Sequence, residues 1–283
     1  MSCAEYKLLA LDLDGTLLDP AGHVTAASRE AILAAQAAGV EVVLATGRDY
    51  SGILWSELEG VPLRYVVTTN GSAVYRVTDR TCLSEHCLDS VRMAPVLQYL
   101  LQKGVYIEIF IDGRSYAPRE VLTLADRLNM PDYIIRTIKA NRTPIDDLVH
   151  KLETGTMRLQ KVTLNFWQEP DGTYHSRDEV LACLRSVPDI VVVDGGFANL
   201  EFTASGVDKA TGLEFLADHL GIPMAQTMAI GDSENDIAML RKAGFGVAMG
   251  NAYPAVKQLA AAVTADNASD GVAAAIHSHL LKD

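Results

Sequence analysis

Five short, almost wholly apolar runs constrain this chain more than any other feature: Lys7–Leu13, Val40–Ala45, Tyr65–Thr69, Thr227–Ile230 and Gly246–Met249. Runs of this length without alternation suit strands buried on both faces, as in a parallel sheet. Helical signals lie between them. Thr25 is an N-cap for a helix through Ala38, and Gly39 is its stop. A helical stretch is expected between Arg48 and Tyr65, and Asn70-Gly71 ends the third run. Such β-α-β-α-β alternation implies parallel strands joined by right-handed crossovers. The pattern resumes late in the chain. Asp208 caps a helix to Leu220, with Leu213, Leu216, Ala217 and Leu220 on one face and Gly221 and Pro223 beyond it. A further helix is expected from Ser233 to Ala243, ended by Gly244.

The middle of the chain has a different texture. Val105–Ile111 and Leu159–Phe166 are longer and alternate in part, as strands of a sheet with one wet face do. Asp89–Lys103 has a helical pattern. Ile190–Val193 and Phe197–Thr203 flank Gly195-Gly196, a two-residue hairpin signal. The expected fold class is therefore α/β: a Rossmann-like parallel-sheet core, residues 1–82 and 196–283, interrupted by an inserted α+β domain, residues 83–195.

Composition narrows the function classes. A length of 283 residues accommodates two domains. With 36 acidic against 24 basic side chains the net charge is −12, which disfavours a general nucleic-acid partner. No apolar run approaches the roughly 18 residues of a membrane span, so no membrane association is expected. Met1–Lys7 lacks the basic and apolar regions of a secretory signal. Four cysteines are too few for a disulfide scaffold, so reduced thiols in the cytoplasm are expected.

The chemistry-bearing residues sit where the core runs end. Asp12 and Asp14 are two apart at the end of the first run, so in an extended segment both carboxylates point to one side. Open α/β sheets bind their ligands at this carboxyl end. Crowded carboxylates need a cation or a raised pKa, and Mg²⁺ with oxygen ligands satisfies them. Taken alone, Asp-Leu-Asp-Gly is as readily a turn whose Asp side chains bond local amides. Thr46-Gly47-Arg48 ends the second run, where a hydroxyl and free amides make an anion cradle. Its bland counterpart is a helix cap beside a solvated arginine. Lys209 opens a helix, a mildly unfavourable place for a cation, which suggests that something there needs the ammonium. In Gly231–Asp236, Asp232 repeats the strand-end carboxylate, whereas Ser233 and Asp236 also fit a helix-capping pair. With Asn235 these carboxylates form an oxygen-rich set suited to a divalent cation.

The joint order of these signals is more specific than any one of them. Lys7–Asp19 (KLLALDLDGTLLD), Ala45–Arg48 (ATGR), Gly206–Lys209 (GVDK) and Ala229–Leu240 (AIGDSENDIAML) resemble the four motifs of the haloacid dehalogenase superfamily of phosphatases. The stretch from Asn199 to the end resembles its Cof-type, sugar-phosphatase-like branch with a large α/β cap. The resemblance covers roughly residues 5–80 and 197–277. The insert matches the cap in position and size only.

The resemblance implies a Mg²⁺-dependent phosphatase acting on a small phosphomonoester, with sugar phosphates the first guess. Asp12 would be the nucleophile and Asp14 the proton donor and then the base. Asp12, the Asp14 carbonyl and Asp232 would hold the metal, supported from behind by Asp236. Thr46, Lys209, Asn235 and the amides near Leu13 and Gly47 would bind phosphoryl oxygens, with Arg48 in support. The insert would select the leaving group. Asp208 and Ala210 depart from the Ser or Asn and the Gly more usual beside this lysine.

Two rivals share these residues. A phosphotransferase or mutase would pass the phosphoryl group to a second sugar hydroxyl. A phospho-aspartate switch would keep it, but a hundred-residue insert has no evident use in one. Three lesser signals carry less. Cys82, His86 and Cys87 lack a second ligand pair for zinc. The glycines around Phe245 do not match a dinucleotide fingerprint. Arg136, Lys139 and Arg142 read more readily as a solvated basic face than as an anion site. Oligomeric state is not legible.

Overall fold

The computed structural model describes residues 6–130, 132–194 and 198–281. The strands are β1 (Leu8–Leu11), β2 (Glu41–Ala45), β3 (Tyr65–Thr68), β4 (Ala73–Arg76), β5 (Thr81–Glu85), β6 (Tyr106–Ile111), β7 (Arg114–Pro118), β8 (Thr143–Ile145), β9 (Leu159–Asn165), β10 (Ile190–Val193), β11 (Leu200–Ala204), β12 (Thr227–Gly231), β13 (Phe245–Ala248) and β14 (Ala262–Val263). The α-helices are α1 (Ala26–Ala37), α2 (Ser90–Gln102), α3 (Asp132–Asn141), α4 (Leu148–Glu153), α5 (Arg177–Ser186), α6 (Lys209–His219), α7 (Ile237–Lys242), α8 (Pro254–Leu259) and α9 (Gly271–His279).

Contacts divide the chain into two units, one from Met1–Gly47, Ile53–Ser84 and Asp208–Asp283, the other from Arg48–Gly52 and Glu85–Val207. In the first unit an eight-stranded sheet runs β14-β13-β12-β1-β2-β3-β4-β5. The pairs from β14 to β3 are parallel, and β4 is antiparallel to β3. β1 lies near the centre with all four residues fully buried, as its unbroken apolar run requires. The helix signals hold at α1, where Thr25 Oγ1 accepts from the Ser28 N–H at 3.1 Å, and at α2, where Asp89 accepts from the Arg92 N–H.

The second unit holds a six-stranded sheet in the order β10-β11-β9-β6-β7-β8. One face of it packs Ile107, Ile109, Val162, Leu164 and Phe202 into an apolar core with Leu97 and Leu100 of α2 and Leu152 of α4.

Several expectations change. No α-helix joins β2 to β3. Two short turns, Tyr50–Gly52 and Trp55–Leu58, take its place, because Gly52, Gly60 and Pro62 break the segment. The sequence placed residue 196 onward in the core, but β11 is the antiparallel partner of both β9 and β10. The return to the core sheet's unit falls at Asp208. The Gly195-Gly196 turn lies outside the described residues. The basic trio also separates: Lys139 pairs with Asp126, while Arg142 turns inward to Glu108 at 2.7 Å and to Ser115 at 3.1 Å. Among the described residues no helix is long and apolar enough to cross a membrane.

Close packing of α6 on β3 tests this arrangement. A Cβ on Gly212 would meet Val67 Cγ1 at 2.3 Å and the Gly71 Cα at 3.2 Å. Overpacking a rigid buried valine costs about 1–3 kcal/mol, against up to about 1 kcal/mol regained in helix propensity. Gly212→Ala is therefore expected to lower the thermal midpoint, by about 2–4 °C for each net kcal/mol. A midpoint at or above wild type would show that α6 can shift off β3.

Candidate active site

Three separated segments of the first unit bring their side chains to one place. Asp12 leaves β1 with its N–H bonded to the Ile230 carbonyl at 3.0 Å, which fixes the end of β1 beside the end of β12. The chain then turns tightly through Leu13–Leu17, with Gly15 at φ +83°. Only glycine serves there. Beyond the left-handed backbone, a Cβ would lie 2.6 Å from Asp232 Oδ2. Thr16, in the same turn, donates to Asp232 Oδ1 at 3.0 Å.

Lys209 is the first residue of α6 and is wholly buried. Its Nζ donates to Asp12 Oδ1 at 2.5 Å and to Asp236 Oδ1 at 2.6 Å. Asp208 caps the helix: its carboxylate accepts from the Thr211 N–H at 3.0 Å, and Thr211 Oγ1 accepts from the Asp208 N–H. The departure at Asp208 is thus a cap. Asp236 uses its second oxygen to accept from the Asp232 N–H at 2.9 Å and the Ser233 N–H at 3.0 Å. The capping pair read from the sequence is present, and the same carboxylate also holds the lysine.

Electrostatics follow from burial. Burial pushes the Asp12 carboxyl well above the usual range, Lys209 pulls it back, and Asp236 and Asp232 push it up again. Asp232 is raised to about 7, by burial first and Asp236 next. Burial alone would lower the Lys209 ammonium, but the two carboxylates overcome it and hold it above the ordinary lysine value.

Oxygens of Asp12, Asp232 and Asp236 lie within 4.8 Å of one another. One oxygen each of Asp12 and Asp232 has no donor among the described residues, whereas both of Asp236 are taken. An all-oxygen donor set with more negative charge than one lysine neutralises fits a hard divalent cation.

The remaining sequence candidates are distributed as follows. Asp14 is half-buried beside Gly15, and Leu13 is fully buried. Thr46 is buried at the end of β2, with its N–H on the Val67 carbonyl, and Gly47 follows it. Asn235 accepts from Ser233 Oγ at 2.8 Å and donates to Asn70 Oδ1 at 3.1 Å. Arg48 donates to the Gly52 carbonyl at 2.7 Å and groups by contacts with the second unit. Three neighbours escaped the sequence reading. Thr16 lay in plain view beside Gly15. Asn70 was taken only as a strand stop. Asn251, which donates to the Gly15 carbonyl at 2.8 Å, follows β13, whose end carried no acidic signal.

A family model described as haloacid dehalogenase-like hydrolase matches residues 9–276. The chain is 32% identical over 285 residues to the 5-amino-6-(5-phospho-D-ribitylamino)uracil phosphatase YcsE of Bacillus subtilis (strain 168), covering 98% of this chain and 97% of that one. A solved haloacid dehalogenase-like hydrolase from B. subtilis is similar at a TM-score of 0.80 and 28% identity, over 97% of this chain and 100% of that one. A solved subclass IIB sugar phosphatase gives a TM-score of 0.77 at 25% identity, over 96% and 98% of the two chains.

The raised acid gives a pH test. Asp232 binds its proton more tightly folded, at about 7, than unfolded, at 3.8. Its contribution to stability is therefore present below pH 4 and lost as pH rises through 7. In chelator, the wild-type thermal midpoint is expected to fall between pH 5.5 and pH 8 more steeply than that of Asp232→Asn. Parallel profiles for the two proteins would contradict the raised value.

Proposed function

This chain belongs to the haloacid dehalogenase-like hydrolases, in their Cof-type branch, and is a phosphatase; we propose that it hydrolyses the phosphomonoester of a small polyhydroxylated metabolite through a phosphorylated Asp12, with Mg²⁺ as cofactor. The observation that carries this reading is the buried Lys209 ammonium bonded to Asp12 and Asp236 within reach of Asp232. A lone surface lysine or a simple Asp turn would give no such convergence.

In the proposed reaction Asp12 attacks phosphorus through a carboxylate oxygen. The Asp12 O–P bond forms and the P–O bond to the leaving alcohol breaks. The Asp14 carboxyl gives its proton to the departing alkoxide, then as carboxylate takes a proton from water. That water attacks phosphorus, the Asp12 O–P bond breaks, and inorganic phosphate leaves. Lys209 orients Asp12 and favours its ionised form before attack. Thr46, the amides of Leu13 and Gly47, and Asn235 are assigned to the phosphoryl oxygens. Asp12, the Asp14 carbonyl and Asp232 would hold Mg²⁺, with Asp236 behind them. Bound there, the ion would offset the repulsion between an anionic nucleophile and an anionic phosphate.

The substrate class rests on relatives: a sugar phosphatase by structure and a ribityl-phosphate phosphatase by sequence. We assign leaving-group selection to the inserted domain, and the cytoplasm as the compartment.

Asp12→Asn removes the nucleophile and leaves its volume nearly unchanged. Phosphate release from sugar phosphates and p-nitrophenyl phosphate is expected to fall by on the order of 10³-fold or more. Chelation of wild type is expected to abolish release, and Mg²⁺ to restore it. Undiminished turnover by Asp12→Asn would refute the mechanism.

A further inference from the structure

The turn after β3 holds three successive residues at positive φ. Thr69, Asn70 and Gly71 have φ of +49°, +55° and +90°, and all three are buried. Glycine accepts that conformation freely and asparagine tolerates it, but a β-branched threonine is an outlier there. The turn also leaves Thr69 Oγ1 and Ser72 Oγ buried with no partner among the described residues. Strain and unmatched hydroxyls of this kind persist where the surroundings require the geometry.

What this geometry achieves is visible in three contacts, each to a different part of the site. The Asn70 N–H donates to the Thr46 carbonyl at 3.1 Å, at the end of β2. Asn70 Oδ1 accepts from Asn235 Nδ2 at 3.1 Å, and the other end of the Asn235 amide accepts from Ser233 Oγ at 2.8 Å. Gly71 presses its backbone on the residue before Lys209, so closely that a Cβ would lie 1.8 Å from the Asp208 carbonyl oxygen. A segment outside all four sequence motifs thus touches three of them.

We propose that Asn70 is a positioning residue of the phosphatase reaction, acting through its amide contact to fix the orientation of Asn235 and, through its backbone, the end of β2 at Thr46. The left-handed turn sets Asn70 Oδ1 opposite the Asn235 amide nitrogen. With Ser233 on the far side, the Asn235 amide is held at both ends and presents one fixed edge. The proposal rests on the phosphatase reading and names a residue which that reading does not use.

Asn70→Gly is the informative variant. Glycine keeps the left-handed backbone and its N–H to Thr46 while deleting the amide that meets Asn235. The full-length protein would be compared as wild type, Asn70→Gly, Asn235→Ala and the double variant. Two readouts are taken: kcat/KM with p-nitrophenyl phosphate, and the Kd of inorganic phosphate in the presence of Mg²⁺. Asn70→Gly is expected to lower kcat/KM about tenfold and weaken phosphate binding severalfold. It should fold and melt within a few degrees of wild type, because glycine keeps the left-handed turn. In the Asn235→Ala background the same change should cost less than twofold in both readouts.

Equal losses in both backgrounds would show that the amide does not act through Asn235 and would overturn the proposal. Wild-type turnover and phosphate affinity in Asn70→Gly would overturn it as well, while leaving the phosphatase reading intact. An Asn70→Gly protein that fails to fold would assign the amide to the fold and not to the reaction. Absence of phosphate release by wild type would instead strike at the phosphatase reading itself.

Discussion

The site is organised around one buried ammonium. Lys209 Nζ is sealed from solvent and lies 2.5 Å and 2.6 Å from carboxylate oxygens of Asp12 and Asp236. Such a charge costs several kcal/mol to bury and is tolerated only when opposite charges surround it in good geometry. Around this requirement the neighbouring backbone is fixed. Asp208 caps α6 so that its first residue points inward. Gly231 leaves room for Asp236, which a Cβ would meet at 2.5 Å. Gly71 leaves room for the Asp208 carbonyl. A lysine at a helix N-terminus works against the helix dipole, and the pair of carboxylates outweighs that by a wide margin.

One ammonium does not neutralise Asp12, Asp14, Asp232 and Asp236. The excess surfaces in the raised pKa of Asp12 and Asp232, both driven up by burial and by neighbouring carboxylates. A protein that keeps such repulsion gains nothing in stability from it. The arrangement makes sense where a further cation offsets the negative charge, which is why the same residues argue for the proposed reaction and against a purely structural role.

Much of this was legible in the sequence, because the core strands are apolar on both faces and each functional carboxylate follows an apolar run. The caps at Thr25 and Asp208 were readable for the same local reason. What escaped was set by tertiary contact. The sequence offered two uses for Asp236, a cap with Ser233 and a partner in an acidic cluster, and the carboxylate has two oxygens that do both. The partial alternation of β6 and β9 predicted a wet face, yet Glu108, Lys161, Thr163 and Glu201 are all buried. Alternation reports that two faces differ, not that one meets water. Lys161 is bonded to Glu201 at 2.6 Å, and Glu108 to Arg142 at 2.7 Å, pairings across strands and helices far apart in the chain.

The positions where local rules fail are also the informative ones. Lysine at the start of a helix, threonine in a left-handed turn, and carboxylates with raised pKa each break a local preference. They lie in segments that meet at the carboxyl ends of β1, β2, β3 and β12. Elsewhere the sequence and the structure agree on helix caps, buried runs and stopping glycines. Where every local choice supports the fold, a residue reports only that it folds; where several choices oppose it at one place, their cost is set against what the assembled site gains. The several such costs that meet around Lys209 support placing the proposed reaction at this end of the sheet.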